Sequence, residues 1–155
     1  MSNNARTIKA GELLQLCWLI ANEEAKHLGA KEILPIHFLL ATMKIIDPMF
    51  PEQLDKLSIS SEQWGAMCKE AQSIRHYIDV MPDRVTAKRR GLRKRLAEHQ
   101  INPPVADDGM LHRAESLRRA FHDACIFTEG DTLTLHSVVR SMFELELVSL
   151  DDIKG

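Results

Sequence analysis

A chain of 155 residues, 45% hydrophobic and 27% charged, has the make-up of one soluble globular domain that needs no disulfide or metal staples to hold a core. Aromatics at 5% and seven Met imply an aliphatic, sulfur-rich interior, which favours helices over strands. The net charge of −2 conceals an asymmetry: residues 84–95 hold seven Lys or Arg and no acid, which leaves the rest of the chain at −9.

The first helix is predicted over Ala10–Leu28, where Leu13, Leu14, Leu16, Cys17, Ile20, Ala21, Ala25 and Leu28 recur at three and four. Ala21 and Ala25, one turn apart, allow a second helix to approach closely. Gly29 breaks the helix, and Pro35 suits the first turn of the next. That second helix, about Pro35–Ile46, is apolar on nearly every side and must be buried. Asp47-Pro48 and Pro51 end it, and Glu52–Leu57 forms a short turn of helix. Ser60 with Gln63 is a capping-box signal for a helix over Ser61–Ile78, with Trp64, Met67, Cys68, Ala71, Ile74 and Ile78 on one face.

Pro82-Asp83 opens a thin stripe of Val85, Leu92 and Leu96, weakened at Gly91 and stopped at Asn102-Pro103-Pro104. Residues 79–109 therefore read as a basic insert. A further helix follows over Met110–Thr128, then a loop at Glu129–Thr132 and a buried helix over Leu133–Phe143. Ser149, followed by Asp151 and Asp152, offers one more helix start.

Sliding the chain by 99 residues lays Leu13–Met43 on His112–Met142 without a gap. Ala21 and Ala25 fall on Ala120 and Ala124, Leu28 on Phe127, His37 on His136 and Met43 on Met142. Agreement at one fixed offset marks an internal repeat. The first unit spans about residues 10–78 and the second, shortened, about 110–155, within a single all-α domain of seven or eight helices.

The repeated stretch resembles the N-terminal repeat domain of the Clp/Hsp100 unfoldases, through Leu34-Pro35-Ile36-His37-Phe38-Leu39-Leu40-Ala41 and Leu133-Thr134-Leu135-His136-Ser137-Val138-Val139-Arg140. The family's Thr at the helix start is replaced by Leu34 and Leu133, so a side-chain cap would move to Thr132 or Thr134. Its Glu before the His is Ile36 in one copy and Leu135 in the other, which removes the carboxylate that would receive a modified basic side chain. No G-x-x-x-x-G-K-[ST] occurs, so the resemblance implies a stand-alone or excised docking domain without ATPase modules. Its implied partner is a protein: a Clp-type ATPase, an adaptor or a client segment.

Few residues suggest chemistry. Cys17, Cys68 and Cys125 are too scattered for a disulfide framework or zinc knuckle and read as small buried hydrophobes in a reducing compartment. His122, Cys125 and Glu129 share a helical face that could hold a metal, and His37 and His136 read as helix-start residues bonded to nearby backbone. No nucleophile elbow or carboxylate cluster appears, so no enzyme and no cofactor is expected. The polar stretch Met1–Ala10 has no signal-peptide core, and no apolar run approaches the ~20 residues that span a bilayer. A cytoplasmic protein is expected, without membrane contact.

Two binding candidates remain. Arg84, Lys88, Arg89, Arg90, Arg93, Lys94 and Arg95 form either a solvated face, a docking strip for an acidic protein, or a nucleic-acid strip. The run contains no aromatic, and the acidic remainder repels a polyanion, so an acidic protein is the better partner. Met49, Phe50, Trp64 and Met67 are either core or the lining of an apolar groove for a partner segment.

Overall fold

The computed structural model describes residues 8–106 and 109–153. Six α-helices dominate it: α1 (Glu12–His27), α2 (Pro35–Ile45), α3 (Ser61–Ile78), α4 (Val85–Glu98), α5 (Glu115–Ile126) and α6 (Leu135–Glu144). Short 3₁₀ turns lie at Phe50–Gln53, Pro82–Arg84 and Leu150–Ile153. No helix among the described residues is long and apolar enough to cross a membrane.

Two helical hairpins, α1–α2 and α5–α6, form the frame. Ala21, Ala25, Ala120 and Ala124 are all buried, as close packing of their helices requires. One apolar cluster runs through both hairpins. Within it, Phe121 of α5 meets Trp18 of α1 and Phe38 of α2 edge-on, at centroid distances of 5.1 and 5.5 Å.

The hairpins are also tied by reciprocal backbone pairing, which the helical periodicity did not foreshadow. Strand β1 (Lys9–Ala10), leading into α1, runs parallel to β2 (Thr132–Leu133), just before α6. Conversely, Ile33, just before α2, bridges in parallel to Arg113, just before α5. Each unit's lead-in thus pairs with the other unit's inter-helix loop. This explains why α5 begins at Glu115 and not near Met110. Ile33 N donates to His112 O, Ala114 N donates to Ile33 O, and Leu111 N donates to the buried Asn22 side chain, which together hold that backbone extended.

The hairpins keep the 99-residue register at their C-terminal ends but not at every cap. The C-caps Leu28 and Phe127 agree with it, as do Ile46 and Leu145. The N-caps of α2 and α6 are Leu34 and Thr134, an offset of 100. His37 therefore corresponds in capping position to Ser137 and not to His136.

Gly29 closes α1 with φ +71, and a Cβ there would lie 2.2 Å from the Asn102 carbonyl oxygen. Only glycine meets both demands. The Asn102–Val105 segment can consequently lie flat on the end of α1, where Val105 N donates to Lys26 O.

Candidate functional site

The basic run becomes helix α4, and the structure divides its charges between two faces. Val85 and Leu92 are buried, and α4 packs along α2 and against the Leu150–Ile153 turn. The segment expected as an insert is thus integral to the first unit's packing. Arg89 turns inward: its Nη2 lies 3.1 Å from Asp47 Oδ2, with 9% and 2% of the two side chains exposed. The Thr86 hydroxyl lies 2.8 and 2.9 Å from the same carboxylate's oxygens, and Met49 N donates to its Oδ1. Arg93 reaches Glu24 of α1 at 2.5 Å. Arg95 donates to the Asp152 backbone carbonyl. Three of the seven cations are therefore engaged internally. Arg84, Arg90 and Lys94 remain exposed and Lys88 half-buried.

Asp47 and Glu24 are the partners that sequence reasoning missed. Their signal was weak: acids at the ends of apolar helices ordinarily face water. Lys44, on the neighbouring face of α2, completes the cluster. Burial lowers its pKa, Glu24 raises it, and Arg93, Arg89 and Lys56 lower it further.

The apolar candidate separates in a similar way. Phe50 is fully buried against Trp64, with ring centroids 5.1 Å apart, and Met67 is buried in α3. Both are core. Met49 is 52% exposed, and Trp64 lines a shallow cleft with Ile45, Pro51, Cys68, Ala71 and Arg75. Of the four, only Met49 and Trp64 reach a surface where a partner could touch them.

The histidines differ from each other. His37 is buried, and its Nδ1 accepts from Leu34 N at 3.0 Å, closing a cap without a hydroxyl. The proton must then sit on Nε2. Desolvation lowers the pKa to about 4, because protonation would bury a charge and remove the acceptor. His136 bonds no nearby backbone through its ring, contrary to the sequence expectation. Its Nδ1 meets Ser73 Oγ of α3 at 3.2 Å, and its ring packs on Tyr77. The cap of α6 is Thr134, whose hydroxyl accepts from Ser137 N. Glu70 of α3 accepts from His136 N at 3.1 Å, so a carboxylate from another helix faces the positive end of α6.

Of the three cysteines, only Cys17 is buried, with its pKa raised to about 12 by desolvation. Cys68 and Cys125 are half-buried, which corrects the expectation of three interior thiols. His122 and Glu129 are exposed on either side of Cys125. Among the described residues no group of three or more His, Cys, Asp or Glu is arranged to hold a metal ion.

No protein-family model, curated protein or solved structure matches the chain.

Proposed function

We propose that the domain is a non-catalytic protein-binding module, resembling the docking N-domain of the Clp ATPases and serving as an accessory factor to such a machine. The observation that carries this reading is the doubled hairpin with reciprocal backbone pairing. That arrangement makes a rigid two-unit frame, and its outer helix faces are the chemistry on offer. The exposed Arg84, at the start of α4, and Arg90 and Lys94 within it, with the exposed Met49 and with Trp64, whose cleft Pro82 also lines, suit an acidic protein segment with an apolar anchor. The absent acids at Ile36 and Leu135 weigh against capture of modified basic side chains.

The rival reading, a nucleic-acid regulator using residues 84–95, has less support. Arg89 and Arg93 are committed to Asp47 and Glu24, so fewer cations face outward than the sequence suggests. Phosphate recognition draws its affinity from the number of such free cations.

Titration of the protein with a Clp-type ATPase from the same cell tests the proposal. Saturable binding, weakened by Arg90→Glu with Lys94→Glu, is the expected result. No binding to the ATPase, together with steeply salt-dependent binding to generic duplex DNA, would transfer the case to the regulator.

A further inference from the structure

The reciprocal pairing lets the two lead-ins be compared residue by residue. Leu133 and Ile33 stand just before the N-caps of α6 and α2, and their partners are Ala10 and Arg113. The helices α1 and α5 then start from the N-caps Gly11 and Ala114. One turn further on, Gln15 in the first unit answers to Arg118 in the second.

In the first unit this pair is neutral and closed on itself, because Gln15 Nε2 donates to Ala10 O at 2.7 Å. In the second unit the pair is two cations. The same frame is thus built once without arginines, so folding alone does not call for them.

Arg113 is held from both ends. Its backbone is fixed by the bridge to Ile33, whose carbonyl receives Ala114 N. Its guanidinium carbon lies 4.5 Å from the centroid of the Trp18 ring and 4.6 Å from that of Phe121. Stacking on aromatic rings leaves the in-plane donors of a guanidinium available. Among the described residues those donors have no hydrogen-bond or ion-pair partner. Burial lowers the pKa of Arg113, and the charge that adds to this is Arg118, a second cation.

Both arginines line an open cleft of ≈560 Å³ with Trp18, Leu111, His112 and Glu32. A second cleft, of ≈600 Å³, adjoins it at Glu32 and His112 and reaches Ala30, Lys31 and the 40% exposed Leu34. Glu32 is the acid in these linings, and among the described residues it pairs with none of the three cations. Glu115, in the first turn of α5, is exposed and does not pair with them either. The clefts therefore carry an excess of positive charge in a chain whose net charge is −2. Asp107 and Asp108, which precede the Met110–Arg113 segment, lie outside the described residues.

We propose that this double cleft receives an extended acidic segment of a partner protein. One carboxylate takes the fork of Arg113 with Arg118 beside it, and a neighbouring apolar side chain rests against Leu34. A planar carboxylate matches a guanidinium fork through two parallel hydrogen bonds. The charges select this occupant. A basic segment would face Lys31, Arg113 and Arg118, and a nucleic acid would bring a row of phosphates against Glu32, Glu115 and a net-acidic protein. The inference deepens the protein-binding reading, rests on it for the partner's identity, and shares no residue with the α4 strip.

The probes are a blocked hexapeptide of alternating leucine and glutamate, its glutamine counterpart, and inorganic phosphate. Each is titrated into the isotopically labelled full chain and followed by two-dimensional NMR. The glutamate peptide should move the Trp18 indole N–H and the Arg113 and Ala114 amides saturably, and the glutamine peptide should not. Arg113→Gln, and Arg118→Gln at an exposed position, should each weaken binding about tenfold, the worth of one charge-assisted contact. Circular dichroism checks that both variants stay folded. Arg90→Glu with Lys94→Glu should leave the Trp18 response unchanged.

Absence of a saturable response at Trp18 overturns the inference. So does an equal response to the glutamine peptide, which would make the cleft merely apolar, and so does binding that survives both arginine variants. Phosphate that binds as tightly as the peptide would reduce the site to a general anion trap and also overturns it. Two other occupants would do the same. A response seen only after Asp107→Asn with Asp108→Asn would identify this chain's own acids, and a dimer dissociated by Arg118→Gln would identify a second copy. If the ATPase binds and the peptide does not, the cleft assignment fails and the protein-binding reading stands. If the peptide binds at Trp18 and the ATPase does not, the cleft assignment stands and the accessory reading fails.

Discussion

Arg89 and Asp47 form an ion pair 42 residues apart in the chain, buried where α4 crosses the end of α2. The pair decides how α4 lies, because the Asp47 carboxylate also receives Thr86 and the Met49 amide. Asp47→Ala leaves a buried guanidinium without its partner, and the expected loss is about 3–5 kcal/mol in urea or thermal unfolding. Adding Arg89→Met should recover a large part of that loss, since the remaining cost is then packing alone. A double variant no more stable than Asp47→Ala would show that the pair does not carry the penalty.

Gly29→Ala tests the seat of the 102–105 segment. The left-handed conformation alone costs roughly 1–2 kcal/mol for an L-residue. The clash with the Asn102 carbonyl adds to it, because backbone cannot swing aside as a side chain does. The variant should unfold at clearly lower denaturant, whereas Gly65→Ala, with open space around its Cβ and a helical position, should not. Equal effects at the two glycines would remove the argument.

His37 makes stability depend on pH. Its folded pKa, about 4, lies below the ordinary 6.5, so the folded state favours the neutral ring. The contribution is complete above pH 6.5 and is lost as pH falls towards 4, amounting to about 3 kcal/mol. His136, also lowered by burial and then by Arg140, acts in the same direction. In His37→Gln the amide oxygen can take over the Leu34 N–H, as Gln63 does for Ser60 N. The slope of unfolding free energy between pH 4 and 6.5 should then become shallower. A slope identical to that of the parent chain would assign the dependence to other groups.

Thiol chemistry reads the burial directly. The Cys17 thiol, pushed up to about 12 and enclosed by Phe38 O and Thr42, should react with a disulfide reagent only on unfolding. Cys68 and Cys125 should react in the native protein. Rapid native labelling of all three would show that α1 opens from α2 far more readily than its packing implies.

The helices were legible because their signals are local. Ser60 and Gln63 form the capping box their spacing announced, and Pro35 stands at the first turn of α2. Asp47-Pro48 and Gly29 end their helices as expected. The all-α character, and with it the burial of Ala21, Ala25, Ala120 and Ala124, follows from periodicity within a single turn or two. Of the two threonines to which the cap could shift, Thr132 and Thr134, the structure uses Thr134, whose hydroxyl lies three residues before the amide it receives and needs no distant partner.

What the sequence could not decide was which way the charged side chains point. A run of seven cations reads as one surface, yet Arg89 and Arg93 turn inward because Asp47 and Glu24, far away in the chain, are buried where α4 lands. The two histidines share a register position but not a role, since the α6 cap moved by one residue and α3 supplied Ser73, Glu70 and Tyr77. The two-residue strands have no periodicity to read, and they exist only because the hairpins bring their ends together. Residue order by itself determined the helices, the ends marked by local caps and breakers, and the doubling, but not the start of α5, which the pairing with Ile33 sets. The tertiary structure decided which charges were spent on the core and which were left lining an open cleft, because both depend on contacts between segments that no local pattern connects.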